Sequence, residues 1–245
     1  MADHRAGANS GVGLAATKVI ATASEKYHVI MAGRSEEKLK TALSEVRTTG
    51  IKGSVSTVQL DVTDEQSIRD AVTYVSEQHG RLDVLVNNAA AGTIDPDVKT
   101  RFTLSLTTNV IGPAMVAEAF RPLLFESKNP YSVFVSSGAG SLTLTSDPAA
   151  VSHMPNENAY RASKAALNMV AIKEWKDFSE KGLKVFAFCP GFVVSNLRGT
   201  SEEARTGWGK AGDPMVSGET LLSIIEGRRD ADDGKFVHKD GVYPW

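Results

Sequence analysis

Cysteine is nearly absent. The 245 residues contain one, Cys189, so no disulfide can form within the chain. That excludes a disulfide-braced scaffold and fits a reducing compartment. Long apolar runs are missing too, and none approaches the ~18 residues that would suggest a membrane span. No basic segment leads into an apolar run at the N-terminus, so a signal peptide is not expected. Charge of one sign is not in excess: 27 lysines and arginines face 29 aspartates and glutamates, a net charge of -2. This balance offers no footing for nucleic acid or an anionic membrane. The five histidines lack metal-ligand spacing, so no metal is expected. What is present is a globular composition, 42% hydrophobic and 23% charged. It is long enough for one sizeable core. A cytoplasmic protein is the expectation.

Patterning supplies the architecture. Val12, Ala16, Val19, Ile20 and Ala23 recur at helical spacing after a glycine-rich turn. "YHVIMAG" is a strand, and "SEEKLKTALSEVRTTG" a helix that Ser35 can cap. "SVSTVQLDV" is a strand, and "TDEQSIRDAVTYVSEQHG" a helix with Thr63 and Gln66 at capping-box spacing. Strands follow in "RLDVLVNNAA", "YSVFVSS" and "LKVFAFCPG", with helices over roughly 101–126 and in "NAYRASKAALNMVAIKEWKDFSEKG". "GKFVHKDGVYPW" adds one last strand. Alternation without linkers predicts an α/β fold, a single doubly wound, Rossmann-like parallel sheet with helices on both faces. Residues 1–245 form one domain in this reading, with 138–159 as a flap and 195–230 as a substrate loop.

Gly7, Gly11 and Gly13 stand at the start of the first helix. Glycine lets the backbone approach a phosphate, and the helix start points free N–H groups at the anion. An acidic residue about 20 positions later normally holds a ribose 2′-hydroxyl. Here that position is Gly33, followed by Arg34. No carboxylate repels a 2′-phosphate there, and a guanidinium is present to bind one. NADP(H) is therefore expected over NAD(H).

"YRASK" puts Tyr160 and Lys164 on one helical face. An ammonium close by would lower the phenol's pKa and fit it to protonate an alkoxide. Ser137, at the end of a predicted strand, can donate to the same oxygen; Ser136 is the weaker choice.

"GANSGVG", "LDVTD", "NNAA", "TNVIG", "VFVSSGAG", "YRASK" and "CPGFVVS" occur in an order that resembles the short-chain dehydrogenase/reductase family. The resemblance implies Asn109, Ser137, Tyr160 and Lys164 as the catalytic tetrad, with Asn109 holding a water that links Lys164 to solvent. It implies cofactor contacts from Gly7, Asn9, Ser10, Gly11, Val12 and Gly13 in the turn, and from Arg34 and Ser35. Asp61 and Val62 would touch the adenine, and Asn87 and Ala89 would lie along the cofactor. Pro190, Gly191, Val193 and Ser195 would serve the nicotinamide and phosphate end. The implied activity is NADPH-dependent reduction of a hydrophobic ketone or aldehyde. The alternative is a catalytically impaired nucleotide-binding sensor or interaction module.

Three departures stand out. Ala6 replaces a threonine usual in the family, Ala90 adds a methyl where the family has glycine, and the first strand is wrong in character. Only "MADHRA" precedes Gly7. Six residues reach about 20 Å, so the segment can span the central slot of the sheet. Asp3, His4 and Arg5 nevertheless forfeit roughly 1.5–3 kcal/mol each relative to large apolar side chains. Residues 1–6 are still expected to trace that slot.

Twenty-two residues separate Ser137 from Tyr160, more than in many relatives. Insertions of this kind resemble those of monomeric carbonyl reductases, which favours a monomer, with a homodimer as the alternative. His153 is at most a substrate contact. Leu197, Trp208 and Met215 would give an apolar wall, with Trp208 equally suited to anchoring the loop. Cys189 reads as a core thiol.

Overall fold

The buried run Tyr131–Val135 is apolar enough to sit at the centre of a sheet, and it does. A computed structural model describes residues 4–149 and 157–245. The strands are β1 (His4–Ala6), β2 (His28–Gly33), β3 (Ser54–Gln59), β4 (Val84–Asn87), β5 (Ala90–Gly92), β6 (Tyr131–Val135), β7 (Lys184–Phe188), β8 (Phe236–His238) and β9 (Gly241–Tyr243). The helices are α1 (Gly11–Ala23), α2 (Glu36–Arg47), α3 (Glu65–His79), α4 (Val98–Leu106), α5 (Gly112–Phe125), α6 (Leu142–Ser146), α7 (Asn158–Phe178), α8 (Glu202–Arg205) and α9 (Met215–Ile225). One π-helical turn, Thr107–Ile111, joins α4 to α5.

The main sheet has the order β4-β6-β7-β8-β9 and is parallel except for β9, which returns antiparallel to β8. All five residues of β6 are buried, as expected of a strand covered on both faces. Alternation divides the core. Val133, Val135, Phe186 and Phe188 pack with Ile20 of α1 and Leu221 and Ile224 of α9. Phe134, Val185 and Ala187 pack with Leu124 of α5 and Leu167 of α7. Strands β2 and β3 pair in parallel and bury Met31 and Val55 against Leu39, Ala42 and Val46 of α2. The Rossmann-like α/β architecture is as expected.

Three expectations are corrected. The chain ends in a hairpin rather than one strand, because Lys239 and Asp240 make a two-residue turn that pairs His238 with Gly241 and brings Tyr243 back beside Phe236. Helix α3 is capped by Asp64, which accepts from the Ser67 N–H at 3.0 Å. Thr63 instead bonds Asp61.

The third correction concerns the first strand. Residues His4–Ala6 do not lie between β2 and β4; they pair antiparallel with β5, with His4 opposite Gly92 and Ala6 opposite Ala90. The β2–β3 pair and the sheet β4-β6-β7-β8-β9 are separate, and among the described residues β2 and β4 each lack a strand neighbour on the facing edge. A cleft of about 1150 Å³ runs between them. Its inner walls are Ile20, Val29, Val84, Val86, Val116, Phe120 and Leu221. Such walls offer nothing to an aspartate or an arginine, whose burial without a partner is costly.

Candidate active site

The glycine turn opens this cleft. The Ala8 N–H donates to the Ala32 carbonyl at the end of β2 (3.2 Å), which ties the turn to the sheet. A Cβ on Gly13 would lie 2.6 Å from the Gly7 carbonyl oxygen and 2.7 Å from Asn88 Nδ2, so only glycine fits. Gly7, Asn9, Val12 and Gly13 line the mouth. Arg34 and Ser35 line it beyond β2, together with Lys38, a cation that the sequence reading passed over. Ser35 caps α2 through the Lys38 N–H. Asp61 and Val62 line the next part, and Asn87 and Ala89 the part after β4. Asp61 also accepts from the Thr63 N–H (2.9 Å) and hydroxyl (2.7 Å), which folds the turn after β3.

Two buried amide nitrogens in the cleft, Asn87 Nδ2 and Asn88 Nδ2, have no hydrogen-bond partner. An unmatched buried donor costs about 1–3 kcal/mol. Both residues line the cleft, and Asn88 Nδ2 stands beside the glycine turn, which fits a polar ligand such as a dinucleotide with its phosphates and amide. Asn88 was not among the expected site residues; its position beside Gly13 is a tertiary contact.

Other expected cofactor residues sit on a separate loop. Ser10 precedes α1 and makes no side-chain cap bond. Gly11 (φ 53°) faces Ser195, whose Cβ would stand 3.0 Å from a Cβ on Gly11. Pro190 and Gly191 follow β7, and the Pro190 carbonyl accepts from the Ser217 hydroxyl at 2.7 Å. Val193 bridges to Gly212. These residues lie on the glycine-turn side, not in the inner cleft.

Tyr160 and Lys164 project from the start of α7. The Lys164 ammonium lies 5.7 Å from the centre of the Tyr160 ring and donates to the Val135 carbonyl at 2.8 Å. Ser137 follows β6, and its hydroxyl accepts from the Ala139 N–H at 3.2 Å. Its hydroxyl also acts to lower the Tyr160 pKa, against the larger effect of burial. Ser136 points the other way, to Asn168 Oδ1 at 2.5 Å. The approach of the serine turn to α7 depends on Gly140, where a Cβ would lie 2.6 Å from the Lys164 carbonyl carbon. Ser137, Tyr160 and Lys164 are thus brought together.

Asn109 lies in the π-helical turn and is fully buried. Its Oδ1 accepts from the Ala91 N–H (2.7 Å). Its Nδ2 donates to the Ala91 carbonyl (2.9 Å) and the Ser163 hydroxyl (2.9 Å). The amide joins β5 to α7 and is not bonded to Lys164.

Electrostatics correct one expectation. The Tyr160 pKa is raised to about 12, first by burial and then by Cys189, with Ser137 and Arg198 opposing. Burial pushes Lys164 down to about 7. A desolvated lysine loses the charge that would stabilise phenolate, so the pair does not depress the tyrosine. The phenol is held protonated, the form required of an acid. Lys164 also links stability to pH. Its folded pKa lies below the unfolded 10.5, so the unfolded chain binds more protons between pH 7 and 10.5, and stability rises with pH there. Comparing wild type with Lys164→Met by denaturant unfolding, the stability gap should move about 2 kcal/mol in favour of wild type from pH 7 to 9. A gap that stays constant would mean that Lys164 keeps its charge.

Cys189 is buried, and its sulfur accepts from the Gly138 N–H at 3.1 Å. Trp208 is largely exposed and has positive φ (55°), which fits an exposed loop corner better than a pocket wall. Leu197 reaches the Tyr160 side of Gly92, where an added Cβ would lie 4.0 Å from Leu197 and 3.8 Å from Tyr160. His153 lies outside the described residues. No metal-binding cluster and no helix long and apolar enough to cross a membrane occur among the described residues.

Fold and cleft place the chain among the dinucleotide-binding oxidoreductases. Residues 6–206 match the short chain dehydrogenase family, and the chain belongs to it. The short-chain dehydrogenase/reductase tropE of Talaromyces stipitatus is 32% identical over 250 residues, covering 96% of this chain and 94% of that protein. The short-chain dehydrogenase/reductase eupG of a Phoma species is 31% identical over 267 residues, covering 98% and 95%. Among solved structures, NADPH-bound carbonyl reductase from chicken fatty liver superposes with a TM-score of 0.80 at 27% identity, over 98% of this chain and 96% of that one.

Proposed function

We propose that the chain reduces a hydrophobic ketone or aldehyde to an alcohol with NADPH. The observation that carries this reading is the grouping of Ser137, Tyr160 and Lys164 beyond the glycine turn. When bound, the reduced nicotinamide supplies a hydride to the carbonyl carbon. Tyr160 gives its proton to the carbonyl oxygen as charge develops there. Ser137 donates a hydrogen bond to the same oxygen, which orients it and stabilises that charge. Lys164 adjoins the Tyr160 ring, and its ammonium is held by the Val135 carbonyl. Asn109 fixes Ala91 and Ser163, and so the wall on which Tyr160 stands. Leu197 and Met215 supply apolar surface for the substrate. The single buried cysteine accords with a cytoplasmic location.

NADPH is preferred to NADH because two cations, Arg34 and Lys38, line the cleft beyond β2, and no acid stands at Gly33 or at the position after it, where a ribose-binding carboxylate would be. The bound 2′-phosphate would gain one or two charge-assisted hydrogen bonds. Wild type should therefore show a larger rise in melting temperature with NADPH than with NADH. Arg34→Asp should weaken NADPH binding by about 10–100-fold and leave NADH nearly unchanged. Equal responses to the two nucleotides in wild type would refute the preference.

A further inference from the structure

Arg198 was not among the expected site residues, yet it stands on the turn whose Leu197 reaches the Tyr160 side of Gly92. It ends the short turn Asn196–Arg198, one residue after Leu197. Three backbone carbonyls hold it: Nε donates to Ala204 (3.1 Å), and Nη2 donates to Val193 (2.8 Å) and Arg205 (2.8 Å). Its guanidinium carbon stands 4.4 Å from the centre of the Phe192 ring. These contacts fix the plane of the group before any ligand arrives. None of them neutralises it, since carbonyls and a ring carry no net charge, and Arg198 forms no salt bridge among the described residues. Among the described residues Nη1 has no hydrogen-bond partner, and it is not among the nitrogens sealed from solvent. A guanidinium that is half-buried, held in place and uncompensated is a ready site for an oxyanion, because desolvation and fixed geometry both strengthen a charge-assisted bond.

We propose that Arg198 is a specificity-determining residue whose free Nη1 binds an anionic oxygen of the substrate, a carboxylate or an ionised enol or phenol, while the carbonyl of the same molecule meets Tyr160. Leu197 places the turn against the Tyr160 side of Gly92. The Arg198 charge also lowers the Tyr160 pKa, though less than burial raises it. The substrate is then a hydrophobic carbonyl compound with an acidic group. The dinucleotide phosphates are the other anion within range of this loop. They are assigned instead to the glycine turn, where Gly11 and Ser195 face each other three residues before Arg198.

The identity of the ligand as substrate rests on the reductase reading, but anion binding can be measured without turnover. Benzoate and benzamide, then hexanoate and hexanamide, are titrated calorimetrically into the protein with and without saturating NADPH. In wild type the acids should bind at least about tenfold tighter than the amides. Arg198→Gln should bring acid and amide within about twofold, and Arg198→Lys should restore part of the gap because it keeps the charge. A merely structural role would weaken acid and amide alike. The proposal is overturned if wild type does not prefer the acids, or if the preference survives in Arg198→Gln. It is also overturned if Arg198→Gln weakens NADPH while leaving benzoate unchanged, which would assign the guanidinium to the cofactor. The wild-type comparison decides even if the glutamine variant fails to fold. Loss of carbonyl reduction with the acid preference intact would count against the reductase reading alone.

Discussion

Tyr160→Phe should lower the turnover of NADPH with an accepted carbonyl substrate by about 10³-fold, while the affinity for NADPH stays within about twofold. The substitution removes one oxygen and keeps the ring that lies beside Lys164 and Gly92. Binding surface is therefore conserved and only the transferable proton is lost. With the phenol raised to about 12, the acid form persists through the physiological range. Wild-type reduction should accordingly show no loss from deprotonation of Tyr160 between pH 7 and 9. Steady-state rates and a nucleotide titration on the two proteins check both halves. Equal rates would take Tyr160 out of the chemistry. A parallel loss of NADPH binding would give it a binding role instead.

The triple substitution Asp3→Val, His4→Ile and Arg5→Val should raise the melting temperature by at least about 10 °C. The cleft between β2 and β4 has apolar walls, and among the described residues each of those strands has an edge without a strand partner. Three branched side chains brought into such a site contribute roughly 1.5–3 kcal/mol each, an upper estimate because unfolded chains already bury some surface. Backbone bonds to the flanking strands add about 1 kcal/mol apiece. Against this stands the loss of a three-residue antiparallel pairing with β5. In a chain of 245 residues each kcal/mol moves the melt by about 2–4 °C. Amide exchange in β2 and β4 should slow at the same time. A melt unchanged within about 2 °C, with exchange unaltered, would show that the two strands do not accept a partner between them.

Most of the architecture was legible in the residues. The oily runs at Val84–Asn87 and Tyr131–Val135 could only be strands covered on both faces, and they are the paired β4 and β6. The spacing of Tyr160 and Lys164 put both on one face of α7, because helical neighbours four apart must meet. Gly13 could be read as a phosphate cradle because glycine alone tolerates the Gly7 carbonyl at that distance.

Charge and burial decided the rest. The sequence located Asp3, His4 and Arg5 but not their cost in an apolar slot; the observed chain takes His4–Ala6 to β5 and leaves the sheet in separate parts. Likewise it showed that Tyr160 and Lys164 meet, but not that both are desolvated, which reverses the expected direction for the phenol. Lys38 and Arg198 carry no signal in their neighbours along the chain, and Asn88 lies in a motif that does not by itself say which amide faces the turn. Their placement depends on contacts between segments far apart in sequence. By itself, then, the sequence determined the elements, the family and the candidate side chains of the site, because periodicity and local spacing are properties of the chain. Only the tertiary structure decided the route of the first strand, the protonation of the pair and the uncompensated guanidinium beside it, because desolvation and long-range hydrogen bonding exist only once the chain has folded.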